Sequence, residues 1–274
     1  MPLDVDAAVI ANQRLSDDYC VVSLEAPEIA AGAQPGQFVM VKPSRGLDPL
    51  LRRPFSIFEI LRDRDGGPIG VSILNKRIGV GTGLLYELEP GARVACLGPL
   101  GQPFVPIDPP AHAWMVAGGV GLAPFLTLSE ALHARGTPAT LVYGARRAED
   151  LHCVDRFERL GMRILFATED GSRGVKGVVT AALREGLEET PAAEASQLYV
   201  CGPTPMMRAV AALAEQLRRP CAVSLEQVMG CGLGGCYSCV VLTRVPGHPP
   251  HHVRSCIDGP VFDARRVVWE ALTH

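Results

Sequence analysis

Cys231, Cys236, Cys239 and Cys256 follow the pattern C-x4-C-x2-C-x16-C within the glycine-rich stretch GCGLGGCYSCVVLTRVPGHPPHHVRSC at 230–256. Four thiols so confined could crosslink, hold zinc or hold an inorganic cluster that passes electrons. The first steps reproduce the plant-type [2Fe–2S] spacing. Such a cluster needs a tight loop around one edge, and Gly230, Gly232, Gly234 and Gly235 let backbone amides turn toward its sulfides. Structural zinc usually takes two C-x2–4-C knuckles, and only one close pair of that kind is present. The spacing therefore favours iron and sulfide. His248, His251 and His252 precede Cys256, but four cysteines already complete a ligand set, so these read as solvated loop residues. Cys20, Cys96, Cys153, Cys201 and Cys221 are scattered through apolar segments and read as small core residues.

Phosphate chemistry is suggested at four further places. AGGVGLAP (117–124) runs a strand into glycines and then a helix, a G-x-G-x-x-P variant of the dinucleotide fingerprint, with Gly118, Gly119 and Gly121 as its backbone. CGPTPMM (201–207) is a second strand-to-helix turn, so Cys201, Gly202 and Pro203 should face the same crevice as 117–124. Thr204 as N-cap with Pro205 at N1 accounts for that turn equally well. In LRRPFSI (51–57), Arg53 offers a fork for a phosphate and Ser56 a hydroxyl. Gly81 and Thr82, in GVGTGLL, open a helix whose start would suit another phosphate. Two such sites in one segment suit a flavin nucleotide. No acidic residue closes the strand LVYGARR, and Arg146 and Arg147 there could meet a phosphate or simply be solvated.

The elements that must position these residues fall into three segments. The first hundred residues read as short strands between Gly/Pro turns (DAAVIANQ, YCVVSLEA, GQFVMVKP, PFSIFEIL, GPIGVSILN, GARVACLGPLG), with one helix at TGLLYELE. That rhythm predicts an antiparallel β-barrel. The Pro-rich stretch 103–113 reads as a linker. Strand–helix alternation follows, with helices at 123–136, 148–161, 178–189 and 204–219 and strands between them, which predicts a Rossmann-like α/β parallel sheet. The alternation ends near 222. The expected domains are 1–104, 105–222 and a small cysteine-rich domain, 223–274. The 274 residues are 47% hydrophobic with a formal charge of −3 and no basic block, which argues against nucleic acid as a partner. No leader pattern or apolar run of eighteen is seen, so a soluble, cytoplasmic chain without membrane association is expected, where disulfides are disfavoured.

RRPFSI, GVGTGLL, GPLGQPF, GGVGLAP, TEDGSRGVKGVVT, CGPTPMM and EQVMGCGLGGCYSC…CIDGPVF occur in order over almost the whole chain. Together they resemble the electron-transfer subunits of heteromeric, NAD-dependent (class 1B) dihydroorotate dehydrogenases, a branch of the ferredoxin reductase superfamily. The resemblance implies FAD in the barrel, its Arg-Pro-x-Ser motif falling on Arg53, Pro54, Phe55 and Ser56. It places Leu74, Asn75 and Lys76 on the flavin's other side and the pyrophosphate loop at Gly81 and Thr82. Asn75-Lys76 departs from the usual aromatic-basic pair, though Lys76 keeps the charge. Cys231, Cys236, Cys239 and Cys256 take the cluster, and NAD(H) is the co-substrate. The implied partner is an FMN-containing catalytic subunit, two of each in a heterotetramer, serving pyrimidine biosynthesis. A flavin must stand between a two-electron nicotinamide and a one-electron cluster, so no side chain here is assigned as a general acid or base. Small subunits of NADH-dependent ferredoxin:NADP oxidoreductase, sulfide dehydrogenase or certain hydrogenases share these motifs. A non-enzymatic zinc or redox regulator is the alternative of another class.

Overall fold

A computed structural model describes residues 1–44, 46–189 and 195–272. The first segment contains β1 (Leu3–Arg14), β2 (Tyr19–Glu25), α1 (Pro27–Gly32), β3 (Phe38–Lys42), β4 (Arg53–Arg62), β5 (Pro68–Lys76), α2 (Val80–Tyr86) and β6 (Arg93–Leu100). Alternating apolar side chains such as Val22, Leu24, Val39, Val41, Val71 and Ile73 point inward, so the strands close into an antiparallel barrel ordered β1-β2-β5-β4-β3-β6. The sequence reading gave this region a single helix. α1 is a second, begun by Pro27 with Glu28 in its first turn and anchored by buried Ile29 and Ala30.

The chain then passes through the Pro-rich stretch, which is pinned and not free. Phe104 stacks on Phe125 at 5.9 Å and meets Tyr199 edge-on at 5.4 Å, while the Tyr199 hydroxyl donates to the Val105 carbonyl at 2.7 Å. The second segment contains β7 (His112–Gly118), α3 (Phe125–Ala134), β8 (Ala139–Ala145), α4 (Val154–Glu158), β9 (Arg163–Thr168), β10 (Val175–Lys176), α5 (Val179–Glu188), β11 (Ser196–Cys201), α6 (Thr204–Gln216) and β12 (Cys221–Ser224). The expected helix over 148–161 is broken. A 3-10 turn at Ala148–Asp150 leads to Cys153 in the left-handed region (φ 57°), and α4 is only five residues long. Leu151, Val154 and Phe157 are buried at helix-like spacing, yet they reach the core from an extended stretch and a short turn. α6 begins at Thr204, and Pro203 takes the cap position expected of Thr204.

The last segment contains β13 (Val240–Thr243), β14 (His251–Arg254), α7 (Ser255–Asp258) and β15 (Val261–Asp263). His251 and His252, read as loop residues, lie instead on β14 of an antiparallel hairpin, with Val240 opposite Arg254 and Thr243 opposite His251. The parallel sheet runs β10-β9-β8-β7-β11-β12-β15, with β15 antiparallel to β12. It therefore passes through the expected boundary at 222/223. Barrel and sheet share one apolar core, in which Val21, Phe58 and Leu74 pack with Leu122, Phe125 and Tyr143. An ion pair between Arg156 and Glu59 reinforces that junction. No helix among the described residues is long and apolar enough to cross a membrane.

Candidate functional site

The cysteine loop lies on the barrel. Cys239 and Cys256 are buried with Met229 against Phe38, Met40, Leu97 and Leu100. Gly232 and Gly234 have φ of 72° and 79°, and a Cβ at Gly232 would lie 2.6 Å from Met40 Cγ. Only glycine permits both that backbone conformation and that approach. The Leu233 amide donates to Cys231 Sγ at 3.3 Å and the Cys256 amide to Cys239 Sγ at 3.5 Å. Ser238 Oγ accepts from the Gly230 amide at 2.9 Å and contacts Cys236 Sγ at 3.2 Å. Arg254 closes the loop by donating to the Gly234 carbonyl at 3.1 Å.

The four thiols fall into two pairs. Cys236 is exposed, and hydrogen bonds from Ser238 and then from Cys231 lower its pKa to about 6. Burial, and then the neighbouring Cys239, push the Cys256 thiol up to about 12. No three His, Cys, Asp or Glu side chains among the described residues are grouped to hold a single metal ion. Two thiol pairs, each with an amide aimed at a sulfur, are the donor set that a two-iron, two-sulfide rhomb takes, one pair to each iron.

The strand that supports this loop also borders the flavin motif. β3 pairs with β4 so that Phe38 lies opposite Ser56, Val39 opposite Phe55, Met40 opposite Pro54 and Val41 opposite Arg53. Arg53 donates to the carbonyls of Leu51 and Arg52 at 3.0 and 3.2 Å. A Cβ at Gly81 would lie 3.3 Å from Arg53 Cγ, so the first turn of α2 and this arginine touch. Leu50, Leu51, Ile78 and Val80, which flank the two in sequence, are exposed apolar side chains. Thr82 is otherwise engaged. Its hydroxyl accepts from the amides of Ile78 and Gly79 at 2.9 and 3.0 Å, capping its own helix. Asn75 is buried and donates to the Thr82 carbonyl at 3.0 Å, while its Oδ1 has no partner. Lys76 Nζ lies 5.1 Å from the Tyr19 ring centroid, and Leu74 is buried in the shared core.

The two glycine-bearing strand-to-helix turns are neighbours. β7 and β11 are neighbours, Ala117 opposite Cys201. A Cβ at Gly121 would lie 2.3 Å from the Cys201 carbonyl oxygen and 2.6 Å from Gly202 Cα; one at Gly118 would lie 2.6 Å from Met206 Sδ and 3.0 Å from Pro203 Cδ. Cys201 is buried, and burial holds its thiol well above the usual range. Gly119 has φ 55° and its Cβ position is 4.0 Å from the Tyr19 hydroxyl. Sequence reasoning missed Tyr19, whose ring also lies 4.5 Å from that of His152. It sits where Lys76 of the barrel and Gly119 of the sheet domain converge. No local motif marks it; an aromatic at the start of a strand is ordinary.

This arrangement has known counterparts. Residues 115–212 match the family described as "Oxidoreductase NAD-binding domain", and residues 226–268 match "Iron-sulfur cluster binding domain of dihydroorotate dehydrogenase B". The chain is 37% identical to the dihydroorotate dehydrogenase B (NAD(+)) electron transfer subunit of Desulforamulus reducens over 97% of this chain and 98% of that one. With the same subunit of Bacillus caldolyticus it shares 39% over 94% and 96%. A structure of NADH-dependent reduced ferredoxin-NADP oxidoreductase superposes with a TM-score of 0.83 at 29% identity, covering 97% of this chain and 91% of that one. A Neisseria gonorrhoeae ferredoxin NADP+ reductase with bound FAD and NADP shares the fold at a TM-score of 0.63 and 17% identity, over 78% and 91%. Barrel, nucleotide loops and paired cysteines are thus those of one lineage over nearly the full length, and the chain belongs to the dihydroorotate dehydrogenase B (NAD(+)) electron transfer subunit family.

Proposed function

We propose that this chain carries electrons between NAD(H) and a dihydroorotate dehydrogenase catalytic subunit that bears FMN, as two copies of each subunit, in pyrimidine biosynthesis. Segment 1–104 holds FAD, segment 105–222 the nicotinamide nucleotide and segment 223–274 the [2Fe–2S] cluster. Arg53 pairs with a flavin phosphate beside Gly81, with Pro54, Phe55, Ser56 and Leu74 lining the ring and Lys76 adding a second cation. Asn75 ties β5 to α2, and Thr82 caps the helix that presents Gly81. Gly118 and Gly121 let their turn pack directly on Cys201, Gly202 and Pro203, so that Gly119 and the paired turns face the nucleotide, and Cys231, Cys236, Cys239 and Cys256 supply the thiolates. Bound flavin exchanges a hydride with nicotinamide and single electrons with an iron–sulfur group. The chain's own work is placement and exclusion of water.

The observation that carries this reading is the seating of the paired cysteines on β3, the strand hydrogen-bonded to the Arg53–Ser56 motif. The exposed apolar residues Leu233, Tyr237, Val240 and Ile257 around Cys236 are the face offered to the partner. The test is NADH formation from dihydroorotate and NAD+ by this chain combined with its catalytic subunit. The mixture is expected to be active, and either subunit alone inactive. Arg53→Ala is expected to cut FAD affinity about tenfold to a hundredfold, as loss of a charge-assisted phosphate contact does. Inactivity of the flavin-loaded, iron-loaded mixture would overturn the assignment of partner.

A further inference from the structure

Phe38, Met40, Leu97 and Leu100 leave the barrel on its outer side and pack with Met229, Cys239 and Cys256. On β3 the alternation is regular: Val39 and Val41 join the barrel core, Phe38 and Met40 the cysteine loop. On β6 it is not. Phe38 lies opposite Leu100 but Met40 opposite Leu97, so β6 carries one extra residue between those two pairs. Residues three apart face opposite ways in a regular strand; this bulge turns Leu97 and Leu100 the same way. Gly98 makes room for it, since a Cβ there would lie 2.7 Å from Val39 Cγ1. The seat is dry, with Met40 0%, Leu100 3% and Leu97 8% exposed. Met40 meets the loop directly, its Cγ and Sδ 2.6 and 3.3 Å from the Cβ position of Gly232, next to Cys231.

β3 carries this contact on to the flavin motif. Met40 lies opposite Pro54 and Phe38 opposite Ser56, and residues directly opposite on an antiparallel pair project from one face. The cysteine loop, Met40 and the Arg-Pro-x-Ser stretch therefore share one side of the barrel. An iron–sulfur group held by four thiolates is anionic. Its one-electron reduction makes and breaks no bond and adds one negative charge, and the flavin is the other party to that exchange. Apolar, water-free surroundings disfavour the more highly charged form. We propose that Met40 is a positioning residue for electron transfer. With Leu97 and Leu100 it keeps the barrel side of the cluster site apolar, which lowers the cluster's reduction potential and favours passage of its electron to the flavin. This rests on the cluster-binding reading of the four cysteines.

The experiment is a potentiometric titration of the flavin-loaded, iron-loaded chain, with the cluster followed by electron paramagnetic resonance and the flavin by absorption. M40Q puts an amide tip on a side chain of similar length. It is expected to raise the cluster potential, shifting the flavin-to-cluster exchange constant about tenfold toward the reduced cluster, about 59 mV for one electron. M40L keeps the seat apolar and should shift that constant less than about twofold. Iron per flavin and the flavin potential should hold in both. L97Q, at the more exposed rim, should shift the constant in the same direction by about threefold, and it decides the matter if M40Q cannot keep its iron. An unchanged or lowered cluster potential in the polar variants, an equal shift in M40L, a flavin potential that moves as far, or loss of iron from both M40Q and L97Q would overturn the proposal. A wild type without acid-labile sulfide would instead bring down the cluster-binding reading, and the proposal with it.

Discussion

Cys239→Ser is expected to abolish iron and acid-labile sulfide binding while leaving reduction of the flavin by NADH intact. Serine nearly preserves the volume of a side chain only 1% exposed, so the packing against Phe38, Met40 and Met229 survives. What is lost is one soft thiolate of four, and an alkoxide is not a substitute for it at neutral pH. Transfer to a one-electron acceptor should fall at least about a hundredfold, whereas transfer to a two-electron acceptor should change by less than about threefold. Melting temperature should also fall, because binding free energy at such a site is folding free energy. Cys221 provides the contrast. It is buried in the sheet core, its thiol pushed up to about 12 by burial, and Cys221→Ala should leave the iron content unchanged. Iron analysis and steady-state assays with both acceptor types check this, and retention of the chromophore in Cys239→Ser would remove Cys239 from the ligand set.

Gly121→Ala is expected to be the most damaging single methyl addition at the nucleotide loops. Its Cβ would meet the backbone of Cys201 and Gly202 at 2.3–2.6 Å, atoms that cannot rotate away as a side-chain tip could. Either β7 and β11 part at their carboxyl ends or the turn at 119–122 lifts off. The first outcome costs about 3 kcal/mol, the upper end for overpacked sites. The second displaces the amides proposed to face the nucleotide, and NADH affinity is expected to fall at least about tenfold. Thermal denaturation with NADH titration separates the two. Gly83→Ala within α2 is the control. Its Cβ would find only Arg77 Cγ at 4.0 Å, so stability should hold or rise by about 0.5–1 kcal/mol. A Gly121→Ala protein with unchanged melting temperature and NADH affinity would mean that this close approach is not required.

What the sequence made legible was local. The cysteine spacing, the glycine turns and the Arg-Pro-x-Ser stretch each encode a backbone shape or a donor set within a few residues. Barrel and parallel sheet followed from periodicities of two and of alternating elements. The failures are long-range or very short. β15 has three residues and gains its identity by pairing with β12 forty residues earlier, which no window detects. The apolar spacing at Leu151, Val154 and Phe157 resembles a helix face, but Cys153 in the left-handed region breaks it and turns His152 toward Tyr19. That contact brings the barrel and the sheet domain together at the glycine loop, and Tyr19 carries no motif that could have announced it. The ion pairing of Arg147 with Glu149 and Asp150 was likewise hidden. Its two carboxylate partners were plain in sequence, but which way the side chains turned was not.

The most direct measurement is an anaerobic titration of the flavin-loaded, iron-loaded protein with NADH, followed by absorption and by electron paramagnetic resonance. The account predicts bleaching of the flavin together with the low-temperature signal of a reduced [2Fe–2S] centre, in a protein holding about two irons per flavin. Bleaching with no iron–sulfur signal at excess NADH, or protein that binds flavin but neither iron nor labile sulfide, would contradict it.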